Sequence, residues 1–197
     1  EEGTVSLALG LGKYIVDGGL TLRVCPYHPT QVLQTSEMEI ALRETQTSFY
    51  ALDLRNKGEN FSLDDGFNLL KLPVKEAEKD GALQYIASTY DPYDMVIRDG
   101  IYPGGRKVIT FANILQHEVF PLSRILQLAQ EYGQREMRRP VEIEFAVTLN
   151  QKEKTGTFYL LQVRPMVDVK ADLSEDLNLI PEDKVLLKSS NSLGHGI

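Results

Sequence analysis

Val141-Glu142-Ile143-Glu144-Phe145-Ala146-Val147-Thr148 and, after a polar loop, Phe158-Tyr159-Leu160-Leu161-Gln162-Val163-Arg164-Pro165 are the stretches on which the reading of this chain turns. Side chains alternate faces along a strand, so Val141, Ile143, Phe145 and Val147 point one way while Glu142, Glu144 and Thr148 point the other. Gln162 and Arg164, also two residues apart, share a face of the second run. An antiparallel hairpin that sets Glu144 opposite Gln162 also sets Glu142 opposite Arg164, and Leu149 to Gly156 can close it. Two carboxylates, an amide and a guanidinium then gather on one surface.

That set suits a particular ligand. Mg²⁺ favours hard oxygen donors, takes one or two carboxylates from protein and fills its octahedron with water and substrate phosphates. Glu144 and the amide oxygen of Gln162 supply two such donors, and Arg164 offers a planar fork matched to phosphate oxygens. The expected ligand is a magnesium nucleotide. The competing reading is an ordinary cross-strand ion pair, Glu142 with Arg164, on a solvated sheet face.

At the other end of the chain, Val5-Ser6-Leu7-Ala8-Leu9 reads as a short buried strand broken by Gly10-Leu11-Gly12. Glycines permit the positive φ and close backbone approach of a phosphate-facing turn. The spacing is not that of a dinucleotide fingerprint, because the next glycine is Gly18, and no Gly-Lys-Ser/Thr ending marks a P-loop.

The hairpin residues Glu142-Ile143-Glu144-Phe145-Ala146 and Leu161-Gln162-Val163-Arg164-Pro165, with Gly10-Leu11-Gly12 and the following Ile15-Val16-Asp17-Gly18, resemble the nucleotide-binding domain of the phosphoenolpyruvate synthase and pyruvate phosphate dikinase family. The resemblance implies an α+β fold: part of an ATP-grasp lobe, with a mixed or antiparallel sheet, packed helices and a closing β-hairpin. It implies ATP and Mg²⁺ as cofactors, Glu144 and Gln162 as metal ligands, and Arg164 as the catalytic group on phosphate. Gly10, Gly12, Glu142 and Arg164 fall on the nucleotide side of the site. Glu142 stands where the family usually has Asp, and Lys13 where it usually has Glu, so Lys13 inherits no role. By the same resemblance, ATP lies between two lobes, and a phosphoryl group passes to a histidine on a following domain and then to pyruvate on a separate one. A glucan or antibiotic phosphotransferase of related design, or a non-catalytic docking module, are the rival expectations.

Residues 1–168 are read as the partial nucleotide-binding domain, 169–183 as an acidic linker, and 184–197 as the start of a phosphohistidine domain. By the same resemblance a first lobe is expected to precede these residues, which makes the chain a fragment of a longer enzyme in this reading. His195 lacks the Thr-x-x-Ser-His surroundings of a phosphorylated histidine, and His28 and His117 have no partner set that suggests metal binding or nucleophilic catalysis, so both read as loop histidines.

Composition bounds these readings. The chain has 197 residues, 42% hydrophobic and 25% charged, enough for one sizeable core or two small ones. A formal charge of −7 and a pI near 5.1 argue against nucleic acid as a partner, since backbone binding needs a basic surface. The single Cys25 excludes an internal disulfide and suits a reducing cytoplasm. Neither a membrane-length apolar run nor a signal sequence is present, so no membrane is expected.

Elsewhere the pattern predicts strands over 19–24, 49–54, 83–88 and 106–111, an extended segment over 67–74, and a helix over 74–82. Residues 30–48 read as loop and short helix, and 55–60 as a turn. The clearest helix runs from Leu122 to Met137, with Pro121 at its start, an apolar stripe at helical spacing and Arg135, Arg138 and Arg139 at its end. It is expected to pack behind the hairpin.

Overall fold

The computed structural model describes residues 2–55, 66–150 and 155–166. The chain is α+β. In order its elements are β1 (Val5–Leu7), α1 (Lys13–Val16), β2 (Leu22–Val24), α2 (Met38–Glu44), β3 (Ser48–Leu52), β4 (Leu69–Pro73), α3 (Glu76–Lys79), β5 (Ala87–Asp91), β6 (Val96–Asp99), β7 (Arg106–Ile109), α4 (Ala112–Leu115), α5 (Leu122–Met137), β8 (Val141–Asn150) and β9 (Thr155–Pro165). Every described strand pair is antiparallel, and the strands form four small sheets, β1-β2, β3-β4, β6-β5-β7 and β8-β9, instead of one continuous sheet. Among the described residues no helix is long and apolar enough to cross a membrane.

One hydrophobic cluster joins the small sheets. Leu7, Leu22 and Val24 from β1-β2 meet Leu83, Ile109, Ile114, Leu122 and Leu126, while Phe145, Val147, Leu149 and Phe158 of the hairpin pack against them. Helix α5 lies behind β8 and β9 as its stripe predicts. Leu122 and Leu126 are buried, whereas Tyr132, expected on the stripe, is half exposed. Gly133 lets the helix approach closely: a Cβ there would lie 3.1 Å from Val141 Cγ2. At the far end of the hairpin Gly156 sits over the rim of Phe120, which is itself buried.

Several sequence-based boundaries shift. The strand expected over 83–88 begins only at Ala87; Leu83 to Ile86 form turns, with the Ala87 amide donating to the Leu83 carbonyl at 2.9 Å. Leu83 and Ile86 are apolar because they are buried, not because they are extended. The helix expected over 74–82 contracts to α3, ended by Gly81 at φ +70°. The strand expected to run to Phe111 stops at Ile109, because Phe111 takes a left-handed conformation and caps α4. Strand β6 has no counterpart among the expected strands: it follows Met95 at φ +55° and pairs with β5. The acidic-linker and phosphohistidine-domain readings, His195, and positions 56–60 of the expected turn lie outside the described residues.

The contact at Gly156 carries the first prediction. An added Cβ would lie 2.6 Å from Phe120 Cδ2 and 2.9 Å from Leu149 Cδ2. Overpacking of this kind costs about 1–3 kcal/mol. Urea unfolding of Gly156→Ala should show that loss, and unchanged stability would mean that the hairpin does not rest on Phe120.

Candidate functional site

Strand β8 alternates strictly. Val141, Ile143, Phe145, Val147 and Leu149 are half buried toward the core, and Glu142, Glu144, Ala146, Thr148 and Asn150 are exposed. Strand β9 pairs with it in the expected register over the half away from the turn, Glu142 opposite Arg164 and Glu144 opposite Gln162. From Phe145 toward the turn the register is displaced by one residue, with Phe145 opposite Leu160 and Ala146 opposite Tyr159. Leu161 is the extra residue of a β-bulge.

The bulge decides which way the polar groups point. Phe158 faces the core opposite Val147, and unbroken alternation from there would turn Gln162 and Arg164 inward as well. A one-residue slip exchanges faces, so Leu161 returns Gln162 and Arg164 to the side of the two acids, with Val163 half buried between them. Leu160 and Leu161, at the bulge, are 54% and 63% exposed. Pairing continues to Asn150 opposite Thr155, so the connecting turn is shorter than the eight-residue closure expected from Leu149 to Gly156.

On the outer face the guanidinium and first carboxylate are already engaged. Arg164 Nε donates to Glu142 Oε2 at 3.0 Å and Nη2 donates to Oε1 at 2.9 Å, with both side chains about half exposed. The Arg164 hydrogen bonds hold the Glu142 carboxyl below the ordinary glutamate range, outweighing the opposing effect of partial burial. The same bonds raise Arg164, to which Glu144 adds a smaller electrostatic contribution.

Two oxygen donors, Glu144 and the Gln162 amide, stand opposite one another beside this pair. They fit a cation that keeps most of its shell for water and phosphate, as Mg²⁺ does. Among the described residues no group of three or more His, Cys, Asp or Glu side chains is arranged to hold a metal. The hairpin presents one carboxylate and one amide on an open sheet face beside the ion pair. A cavity of about 590 Å³ lies elsewhere, walled in part by Leu83, Tyr85, Ile101, Tyr102, Asn113 and Val119, and no hairpin residue lines it.

The glycine loop is organised by β3. Gln46, almost fully buried, accepts from the Leu9 amide at 2.8 Å and donates to the carbonyls of Leu9 and Ser48 at 2.9 and 2.8 Å. Gly10 has φ +95°, and a Cβ there would approach the Tyr50 carbonyl to 2.7 Å, so packing on the strand itself requires glycine. Gly12 has open space around it. Lys13 begins α1 and pairs with Asp17 at 3.1 Å, and Asp17 also accepts from the Tyr50 hydroxyl at 3.0 Å.

Both loop histidines lie beside a carboxylate. His117 Nε2 lies 3.1 Å from Asp99 Oδ2, and the other Asp99 oxygen accepts from Ser88, which in turn meets Thr110 at 2.6 Å. Pairing of β5 with β6 creates this chain; nothing local to His117 signals it. His28 pairs with Glu2 at 3.3 Å. At the end of α5, Arg135 stacks over Tyr132 at 4.5 Å and pairs with Glu136, while Arg138 forms the left-handed cap.

No family model matches the chain, nor does any curated protein or solved structure.

The Glu142–Arg164 pair gives a pH prediction. A depressed carboxyl contributes stability that is present above the unfolded-chain value, near 4.3, and is lost as pH falls through the folded value. Arg164 stays protonated throughout, and an exposed pair contributes little. Carboxyl NMR should show Glu142 titrating below the other exposed glutamates and returning to the ordinary range in Arg164→Ala. Titration of Glu142 at the ordinary value in the native chain would contradict the bidentate contact.

Proposed function

We propose that the outer face of the β8-β9 hairpin is half of a magnesium–nucleotide site, in a partial ATP-grasp lobe of the phosphoenolpyruvate synthase and pyruvate phosphate dikinase kind. The observation that carries this reading is the bulge at Leu161, which brings Gln162 and Arg164 to the face of Glu142 and Glu144. Bulges that re-aim side chains recur beside functional sites. The same bulge turns Val163 toward α5, so an apolar contact on the inner face and the polar group on the outer one arise together.

In this reading Glu144 and Gln162 hold Mg²⁺, and Arg164 meets the phosphate oxygens. The cation supplies neutralisation of phosphate charge. Phosphoryl transfer spreads negative charge over the transferring oxygens and depends on positioning, so a lobe of this design works by holding and neutralising, with no covalent step of its own. Gly10 and Gly12 belong to the nucleotide side by resemblance, with Gly10 already accounted for by its packing on β3. The partners of the lobe are then a preceding ATP-grasp lobe and a following phosphohistidine domain of the same parent chain, with pyruvate as the final acceptor, in the cytoplasm. A glucan or antibiotic acceptor requires no change at the hairpin.

Calorimetric titration with Mg-ATP tests the site. The native chain should bind, Glu144→Ala and Arg164→Ala should each weaken binding at least about tenfold, as loss of a charged contact does, and Lys13→Ala should leave it unchanged. No binding by the native chain, or equal binding by the Glu144 and Arg164 variants, would overturn the proposal.

A further inference from the structure

We propose that Glu142 is a positioning residue: it grips the side edge of the Arg164 guanidinium and thereby presents the opposite edge to an incoming phosphate. The inference rests on the nucleotide reading of the hairpin and goes beyond it, since it removes Glu142 from the ligand set and gives it a role exercised through Arg164.

The geometry is specific. A guanidinium carries five N–H donors in two usable forks, one formed by Nε and Nη2, the other by Nη1 and Nη2. Glu142 occupies the first fork with one oxygen on each nitrogen, at 3.0 and 2.9 Å. Among the described residues Glu142 is the only hydrogen-bonding partner of Arg164, so the second fork stays open. Arg164 is two residues from Gln162 on the same strand face, a spacing of about 7 Å. A phosphate near the Glu144–Gln162 pair therefore meets a fork whose plane is already set.

Two other roles for Glu142 fit less well. As a direct metal ligand it would have to give up both bonds to Arg164, because both of its oxygens are engaged. As a competitor that blocks phosphate it would have to occupy both forks of Arg164, yet it holds only the first. What the pair does supply is order. A free arginine loses much rotamer freedom when it captures a ligand, and a clamp made before binding removes part of that loss. The repulsion between Glu142 and phosphate is screened by the same exposure that weakens the pair.

A double-mutant cycle on the chain with Mg-ATP as probe tests the assignment. In the native background Glu142→Gln should weaken binding about three- to tenfold, the range for one unordered side chain, and Glu142→Asp should restore most of it. In an Arg164→Lys background, where no fork remains to be held, Glu142→Gln should change binding less than about twofold. The Arg164 Nε–H resonance should exchange slowly in the native chain and in Glu142→Asp, and rapidly in Glu142→Gln. Equal weakening in both backgrounds would make Glu142 a direct ligand, and tighter or unchanged binding in the native background would make it a competitor or a bystander; each overturns the inference while leaving the site intact. Absence of Mg-ATP binding by the native chain overturns the site itself.

Discussion

A single inserted residue, Leu161, governs the surface on which this account depends. Antiparallel pairing leaves no freedom in facing once register is set, and the hydrophobic cluster sets register firmly at the turn end of the hairpin through Phe145, Val147, Leu149 and Phe158. With Phe158 fixed inward, only an odd insertion brings Gln162 and Arg164 to the acidic side. The bulge reconciles two demands that simple alternation cannot meet together: an apolar face against the core at one end, and four polar groups on the opposite face at the other.

The rest of the fold packs against the back of that surface. Helix α5 runs behind the hairpin and closes on it at Gly133, and Phe120 meets Gly156 at the turn end. Both contacts lie on the inner face, so the outer face is left for other work. The hairpin is a two-stranded sheet and would be marginal by itself; its packing on the helix and on the shared core is what permits a precise cross-strand geometry at an exposed position. The ion pair at Glu142 and Arg164 adds little to stability, but within that frame it fixes the orientation of the guanidinium.

The legible parts of the sequence were those with an uninterrupted period. Val141 to Thr148 alternates without exception, and Leu122 to Met137 holds a helical stripe, so both elements and the facing of the two acids could be read directly. The pairing of Glu142 with Arg164 followed from two-residue spacing alone. Tyr159-Leu160-Leu161 is continuously apolar and carries no alternation, so the position of the bulge was hidden. Leu83 and Ile86 misled for the opposite reason: they are buried in turns, and burial without a period resembles a strand. Met95 and Phe111 adopt positive φ without being glycine, which concealed β6 and the early end of β7. Contacts made only by tertiary pairing, such as His117 with Asp99 or Gln46 with the backbone of Leu9, have no local signature at all.

The central claim is that the bulged hairpin face binds a divalent cation together with nucleotide phosphate. The most direct measurement is the anomalous-scattering position of Mn²⁺ in crystals of the chain soaked with Mn²⁺ and ATP. The account predicts a peak within about 2.2 Å of a Glu144 carboxylate oxygen and of the Gln162 amide oxygen, close to the metal–oxygen distance of such ions, with a phosphate against Arg164. A peak confined to other residues, or a hairpin face without metal in crystals that hold ATP, would contradict it.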